Sequence, residues 1–276
     1  MSFTLYDPNF KELTYPDGVK PLDILVSSIQ KERITASVDG IPGHVNYGFN
    51  YKDREVKLNF VNEHFYDTFD FRLQRDEIYN MLDSYPYVYI CDDKLPTRLL
   101  AVTIDASYQI ERYGYWYSTF EIEAVIYNLP FWRTKYTTQD IQNTGYTALV
   151  DRYGMADGFN IDYPNYSFTS SEFSVWNGGN VTIDYRNMPL NITIFGATSS
   201  NNFTVENLTT GEKFVAQRAL SNHTVNLKGA MFLLNNLNRL RESNRKFIKL
   251  VPGENKIKIS NGTFKRIDFE FPFFYK

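Results

Sequence analysis

The residues that could do chemistry are three histidines, one cysteine and a few paired carboxylates, and their spacing does not favour a reaction. His44, His64 and His223 are far apart, and none has a Cys, Asp or Glu partner at a metal-ligand or catalytic spacing. They read as isolated turn or surface histidines. Cys91 could be a nucleophile in principle, but it closes the run Tyr87-Val-Tyr-Ile-Cys91 and reads as a buried structural thiol. Asp92 with Asp93, and Glu121 with Glu123, are pairs of the kind glycoside hydrolysis uses. The first pair belongs to a turn and the second to the outward face of a strand. There is no Gly-x-Ser-x-Gly, no phosphate-binding loop and no Gly-x-Gly-x-x-Gly opening a helix. The expectation is a non-enzymatic chain with no metal and no cofactor, and a glycosidase is the remote alternative.

The elements that would position side chains are mostly strands. Aromatic residues make up 17% of the chain, with 21 Tyr and 22 Phe. Their bulk packs well across a pleated surface. The organising stretch is Tyr115 to Arg133, whose first half alternates. Trp116, Phe120, Ile122, Ala124 and Ile126 are expected on a buried face, and Tyr117, Thr119, Glu121, Glu123 and Tyr127 on the other. Pro130 removes a backbone donor and ends the ladder before Phe131 and Trp132. Length allows two domains, placed at residues 1–135 and 136–276. A net charge of −3 argues against tight non-specific nucleic-acid binding. A single cysteine suits assembly in a reducing cytoplasm. No signal peptide and no transmembrane window are expected, and the Asn-X-Ser/Thr sequons read as ordinary turn and strand sequence.

Before the organising strand, residues 1–22 read as an irregular leading arm and Asp23 to Ile29 as a first strand. Val38 to Gly43 is a turn, and Arg54 to Val61 is a strand with Val56, Leu58 and Phe60 inward. Ile78, Met81, Leu82 and Tyr85 form one stripe of a helix from Gln74 to Tyr85, with Asp76 and Glu77 in its first turn and Pro86 stopping it. Tyr87 to Cys91 reads as a covered strand, Thr97 to Ile104 as its partner, and Tyr108 to Arg112 as a strand in a hairpin with the organising one. Thr134 to Pro164 reads as a connector with one strand near 146–150. From Ser167 onward, short strands and turns recur as in a sandwich or jelly roll. They include 181–185, 190–195, 203–207, 214–217, 225–227, one after Val251-Pro-Gly-Glu-Asn255, and a last one in which Ile267, Phe269, Phe271 and Phe273 alternate with charges. The fold class is mainly β, with two β-sandwich domains and one packed helix.

Two sets of side chains could bind something. A sandwich of this shape can stack an aromatic ring on a sugar, and Trp176, before Asn-Gly-Gly-Asn, is the foremost glycan-contact candidate, with Tyr185 and Tyr166 behind it. The outward row Tyr115, Tyr117 and Tyr127 is an interface candidate, because exposed aromatics are enriched where proteins meet.

The order of features resembles the distal tail protein (Dit) family of long-tailed, siphovirus-type bacteriophages that infect Gram-positive hosts. The resemblance rests on Val38-Asp-Gly-Ile-Pro-Gly43, Arg54-Glu-Val-Lys-Leu-Asn-Phe60, the helix ending in Met81-Leu-Asp-Ser84, and Ile90-Cys-Asp-Asp-Lys-Leu-Pro-Thr-Arg98. It continues through Leu129-Pro-Phe-Trp132, Asn207-Leu-Thr-Thr-Gly-Glu-Lys-Phe214 and Val251-Pro-Gly-Glu-Asn-Lys-Ile257. The family implies an N-terminal β-sandwich with a helix and a projecting hairpin, and a C-terminal galectin-like sandwich. It implies a homo-hexameric ring at the tail tip, joining the tail tube protein to a tail-associated fibre or lysin protein and to receptor-binding protein. DNA would pass through the lumen without membrane insertion by this chain, and assembly would take place in the host bacterial cytoplasm. Ring closure needs two different surfaces per subunit. The expected sites are Asp92, Asp93 and Arg98 of the hairpin and the row Tyr115, Tyr117 and Tyr127. The alternative function is a carbohydrate-binding adhesin or accessory baseplate protein contacting host cell-wall glycans.

Overall fold

A computed structural model describes residues 2–64, 68–145 and 158–276. Among them the chain forms two compact units, 1–132 with Lys276, and 133–275. The expected strand near 146–150 lies outside the described residues.

The N-terminal unit runs β1 (Phe3–Tyr6), β2 (Val19–Val26), β3 (Lys31–Ala36), β4 (Val45–Tyr51), β5 (Val56–Glu63), α1 (Thr68–Asp83), β6 (Val88–Asp92), β7 (Arg98–Thr103) and β8 (Tyr117–Ile126). Six of these strands pair in the order β1-β6-β7-β8-β5-β2. The rings of Phe3 and Phe60 meet edge-on at 5.2 Å, so distant parts of this sheet face each other as two layers over one core. That core takes Val56, Leu58 and Phe60 from β5 and Phe120, Ile122, Ala124 and Ile126 from β8, as the alternation requires. From α1 it takes Phe71, Ile78 and Leu82. β6 is buried on both faces between β1 and β7, which explains its unbroken apolar run.

Several expectations need correction. The leading arm contains β1, which pairs β6, and the strand expected from Asp23 to Ile29 is β2, which begins earlier, at Val19, and pairs β5. Pro21 is tolerated in β2 because this is an edge strand with a register shift between Pro21 and Asp23. The helix starts earlier, at Thr68, and its first turn carries Asp70 rather than Asp76 or Glu77. Residues 108–112 form no strand; β8 pairs with β5 and β7 instead, and Ile110 reaches the core from a loop. The extended hairpin is β3–β4, around the Gly-rich turn, and among the described residues it pairs with no other strand.

The C-terminal unit runs β9 (Trp132–Thr134), α2 (Thr138–Thr144), β10 (Ser167–Phe168), β11 (Glu172–Asn177), β12 (Asn191–Ser199), β13 (Phe203–Asn207), β14 (Glu212–Ala216) and β15 (Leu220–Lys228). It continues with β16 (Met231–Leu234), β17 (Leu237–Asn238), β18 (Gly253–Ser260), β19 (Arg266–Glu270) and β20 (Phe274–Tyr275). A six-stranded sheet, β10-β19-β12-β15-β16-β17, packs on a four-stranded sheet, β11-β18-β13-β14. Inward residues of the two layers meet ring to ring, Phe214 with Phe232 at 5.1 Å and Phe173 with Phe269 at 5.9 Å. The segment 181–185 is not a strand; it contributes a single bridge, Ile183 to Leu250. The connector contains α2, which its polar sequence conceals. Side-chain bonds hold this short helix: Thr138 Oγ1 donates to the Phe269 carbonyl at 2.8 Å, and Gln142 Oε1 accepts from the Tyr166 amide at 2.7 Å.

Candidate assembly surfaces

The start of β8 is the most exposed aromatic site on the N-terminal unit. The β5–β8 ladder ends where Glu63 opposes Tyr117. Tyr115 is 81% exposed, Trp116 61% and Tyr117 56%. Trp116 was expected in the core, and the structure corrects this. The inward position beside it is filled by Ser118, and the Trp116 carbonyl accepts from the His64 amide at 2.9 Å. The Arg112 guanidinium lies over the Tyr115 ring at 5.7 Å, a cation–π contact that orders the cluster. Tyr127 does not join it, because it is half-buried and stacked on Tyr87 at 4.2 Å.

The hairpin β3–β4 is the second exposed surface. Every residue of β3 is exposed, and Ile34, Val38, Ile41, Tyr47 and Phe49 present apolar side chains to solvent along it. Lys31 sits over the Phe49 ring at 5.0 Å, and Tyr51 meets Phe131 edge-on at 5.4 Å at the base. At the tip, Gly40 and Gly43 adopt φ of +83° and +84°, the left-handed region that favours glycine. A lone two-stranded hairpin is marginal in water. On α1, Phe69 and Leu73 lie one turn apart and are exposed as well.

The turn between β6 and β7 satisfies its own polar groups. Asp92 Oδ1 accepts the Lys94 amide at 2.8 Å. Asp93 accepts from Thr4 Oγ1 at 2.8 Å and from Ser2 Oγ, tying the turn to the chain's first strand. Arg98 is half-buried, its amide donating to the Leu95 carbonyl at 3.0 Å. Cys91 is buried.

The remaining candidates are scattered. Lys57 lies 2.6 Å from Glu121 and 3.6 Å from Glu123, and the hydrogen bond to Glu121 holds its ammonium above the usual lysine range. His64 is fully buried, with Nε2 3.4 Å from Ser118 Oγ, His44 lies 2.9 Å from Ser37 Oγ, and His223 accepts the Ser221 amide. Among the described residues, no three His, Cys, Asp or Glu side chains are placed to hold a metal ion. In the C-terminal unit, Trp176 donates its indole N–H to the Gly158 carbonyl at 2.9 Å and stacks on Tyr163 at 5.5 Å. Tyr166 is buried, which pushes its phenol up. Tyr185 leans on Phe247 with ring centres 5.1 Å apart.

Known proteins place this arrangement. Residues 12–125 match the model of the phage tail protein RIFT-related domain. Over 99% of this chain and all of its counterpart, the structure superposes on the SPP1 Dit protein (gp 19.1), described as a paradigm of hub adsorption apparatus in phages infecting Gram-positive hosts, with a TM-score of 0.67 and 14% identity. The chain's fold is similar to that of this Dit protein. The baseplate of phage p2 in its activated conformation, with Sr or with Ca, gives TM-scores of 0.48 and 0.47 at 12% identity, covering 98% and 99% of this chain and 97% of each counterpart. No curated protein sequence matches. This Dit-like chain has no helix, among the described residues, long and apolar enough to cross a membrane.

Proposed function

We propose that this chain is a non-enzymatic hub that closes into a six-membered ring at the distal end of a phage tail. The observation that carries the reading is the distribution of exposed apolar side chains. Among the described residues, all the large ones except Ile161, Leu208, Met231 and Leu237 lie on the N-terminal unit. Most fall on the hairpin β3–β4, or on the aromatic start of β8 and the outer face of α1, taken together as a second, unlike surface; Leu22, Leu25, Leu95 and Val125 lie on neither. A ring requires two unlike surfaces, one from each side of every junction. The hairpin of one copy seats on Tyr115, Tyr117, Phe69 and Leu73 of the next, and the self-bonded Asp92–Arg98 turn flanks the junction.

The match of residues 12–125 to a tail domain and the Dit-like fold of the whole chain support the place in the virion. In this reading one face of the ring meets the tail tube protein and the other a fibre or lysin protein, with receptor-binding protein at the periphery. DNA crosses the lumen, and a chain of net charge −3 does not hold it there. Assembly takes place in the bacterial cytoplasm. Negative-stain microscopy and light scattering of the full chain, alone and on purified tails, test the reading. Six-fold rings at the tail tip are expected, and a chain that is monomeric in solution and absent from tails would overturn it.

A further inference from the structure

The C-terminal sandwich carries a cleft of about 420 Å³ that the hub role does not use. Its floor is aromatic. Phe247 is buried, backed by Phe214 at 5.5 Å, and supports the half-buried Tyr185 ring at 5.1 Å with a 40° tilt. The core therefore fixes the plane of the floor. Glu212 and Lys213 of β14 form one wall, and Asn244 and Lys246 form the other.

Asn244 staples the walls together. Its Oδ1 accepts the Val215 and Lys246 amides at 3.1 and 3.2 Å, and its Nδ2 donates to the Lys213 carbonyl at 3.0 Å. The cleft width is thus set before any ligand arrives, which lowers the cost of ordering on binding.

The charges are not balanced. Glu212 Oε2 accepts the Lys249 amide at 2.8 Å, and Lys249 Nζ lies 3.8 Å from Oε1. The same ammonium is 3.2 Å from Asp184, which Arg186 also holds. The one carboxylate in the wall is therefore answered by a cation outside it. Lys213 and Lys246 are exposed and form no ion pair among the described residues. An aromatic floor offers its face to the C–H side of a sugar ring, and two strongly hydrated ammonium groups receive anionic oxygens as point charges. We propose that this cleft binds a sugar bearing an anionic group, phosphate or carboxylate, as part of a surface polymer. The site lies apart from the sequence-based candidate Trp176 and does not depend on ring formation.

The test is titration of the full chain with glucose 1-phosphate, glucuronate, glucose and inorganic phosphate, followed by calorimetry and amide chemical shifts. At least one anionic sugar is expected to bind saturably and about tenfold more tightly than glucose or inorganic phosphate. The stronger of the two identifies the anionic group. The double variant Lys213→Gln/Lys246→Gln changes exposed side chains and keeps the fold. It should weaken binding about tenfold and flatten its salt dependence. Tyr185→Ser should weaken it while Tyr185→Phe retains it. Absence of saturable binding by both anionic sugars would overturn the assignment. So would equal affinity for inorganic phosphate, or an affinity unchanged by loss of both lysines.

Discussion

The two units use similar apolar sequence in opposite ways. The C-terminal unit turns its alternating strands inward from both layers, so that Phe203, Phe214, Phe232 and Phe269 are fully buried and, among the described residues, few large apolar side chains remain outside. The N-terminal unit builds its core too, then leaves an aromatic cluster, a helix stripe and a hairpin in water. The difference extends to buried amides. Asn255 accepts from the Val251 amide at 2.9 Å and from Asn207 Nδ2 at 3.0 Å, and donates to the Val251 carbonyl at 2.8 Å. Asn62 is as deeply buried, yet among the described residues neither its Oδ1 nor its Nδ2 has a partner. One unit is finished as a monomer, and the other keeps surface and polar capacity unspent.

Core truncation should give the largest effect and show whether the units melt separately. Phe214→Ala removes a buried ring between Phe232 and Phe247 and should destabilise the C-terminal unit by about 3–5 kcal/mol. Calorimetry should show its transition moving while that of the N-terminal unit stays. A joint shift of both would break the distinction. The buried amides sharpen it further. Asn255→Ala should cost about 2–3 kcal/mol by leaving the Val251 groups unpartnered and removing one of the two acceptors of Asn207 Nδ2, which keeps the Lys249 carbonyl. Asn62→Leu, which replaces an unsatisfied amide by an apolar group of similar size, should leave stability unchanged or raise it by about 1 kcal/mol. Loss of stability in Asn62→Leu as large as in Asn255→Ala would show that the two sites are equivalent.

Electrostatics gives a smaller effect, confined to the C-terminal unit. The hydrogen bond from Arg186, with Lys249 beside it, holds the Asp184 carboxyl down at about 2. A carboxylate whose folded pKa is depressed contributes stability that is present above its unfolded value near 4 and is lost as pH falls through the folded value. Asp184→Asn should therefore cost about 1 kcal/mol at neutral pH, discounted for solvent screening. The difference from the parent should shrink between about pH 4 and pH 2. Urea melts at several pH values measure it, and a difference constant over that range would remove the ion pair from the account.

What could be read from the sequence follows the same division. β5, β8, β18 and β19 are legible because each has one buried and one wet face, so hydrophobicity alternates with the pleat. β3 and β4 are wet on nearly all positions, so no period marks them and only their Gly-rich turn is visible. The start of α1 is masked because Phe69, Phe71 and Leu73 alternate as a strand would, although only Phe71 is buried. α2 has seven residues and is held by side-chain bonds to β19 rather than by an apolar stripe. The exposure of Tyr115 and Tyr117 is visible in the alternation. The Tyr127–Tyr87 stack is not, because it joins residues distant in sequence. The Tyr185 cleft is assembled from three separated segments, and of its members only Tyr185 stood out as a candidate.

The smallest expected change in stability carries the sharpest test of the comparison. Ile41→Asp at the hairpin tip and Tyr115→Asp at the start of β8 alter exposed side chains with no buried partner, so each should shift stability by no more than about 0.5 kcal/mol. Each should nonetheless abolish ring formation, seen as monomers by light scattering. The decisive measurement is the mixture. If the junction pairs the hairpin of one copy with the aromatic surface of the next, the Tyr115→Asp chain still offers a sound hairpin and the Ile41→Asp chain a sound aromatic surface. One good junction then forms and the following one cannot, so the mixture should stop at heterodimers. Like surfaces pairing with like would give homodimers of each variant before mixing and no gain after it. Rings formed by either variant alone would show that the exposed apolar surfaces of the N-terminal unit serve another partner.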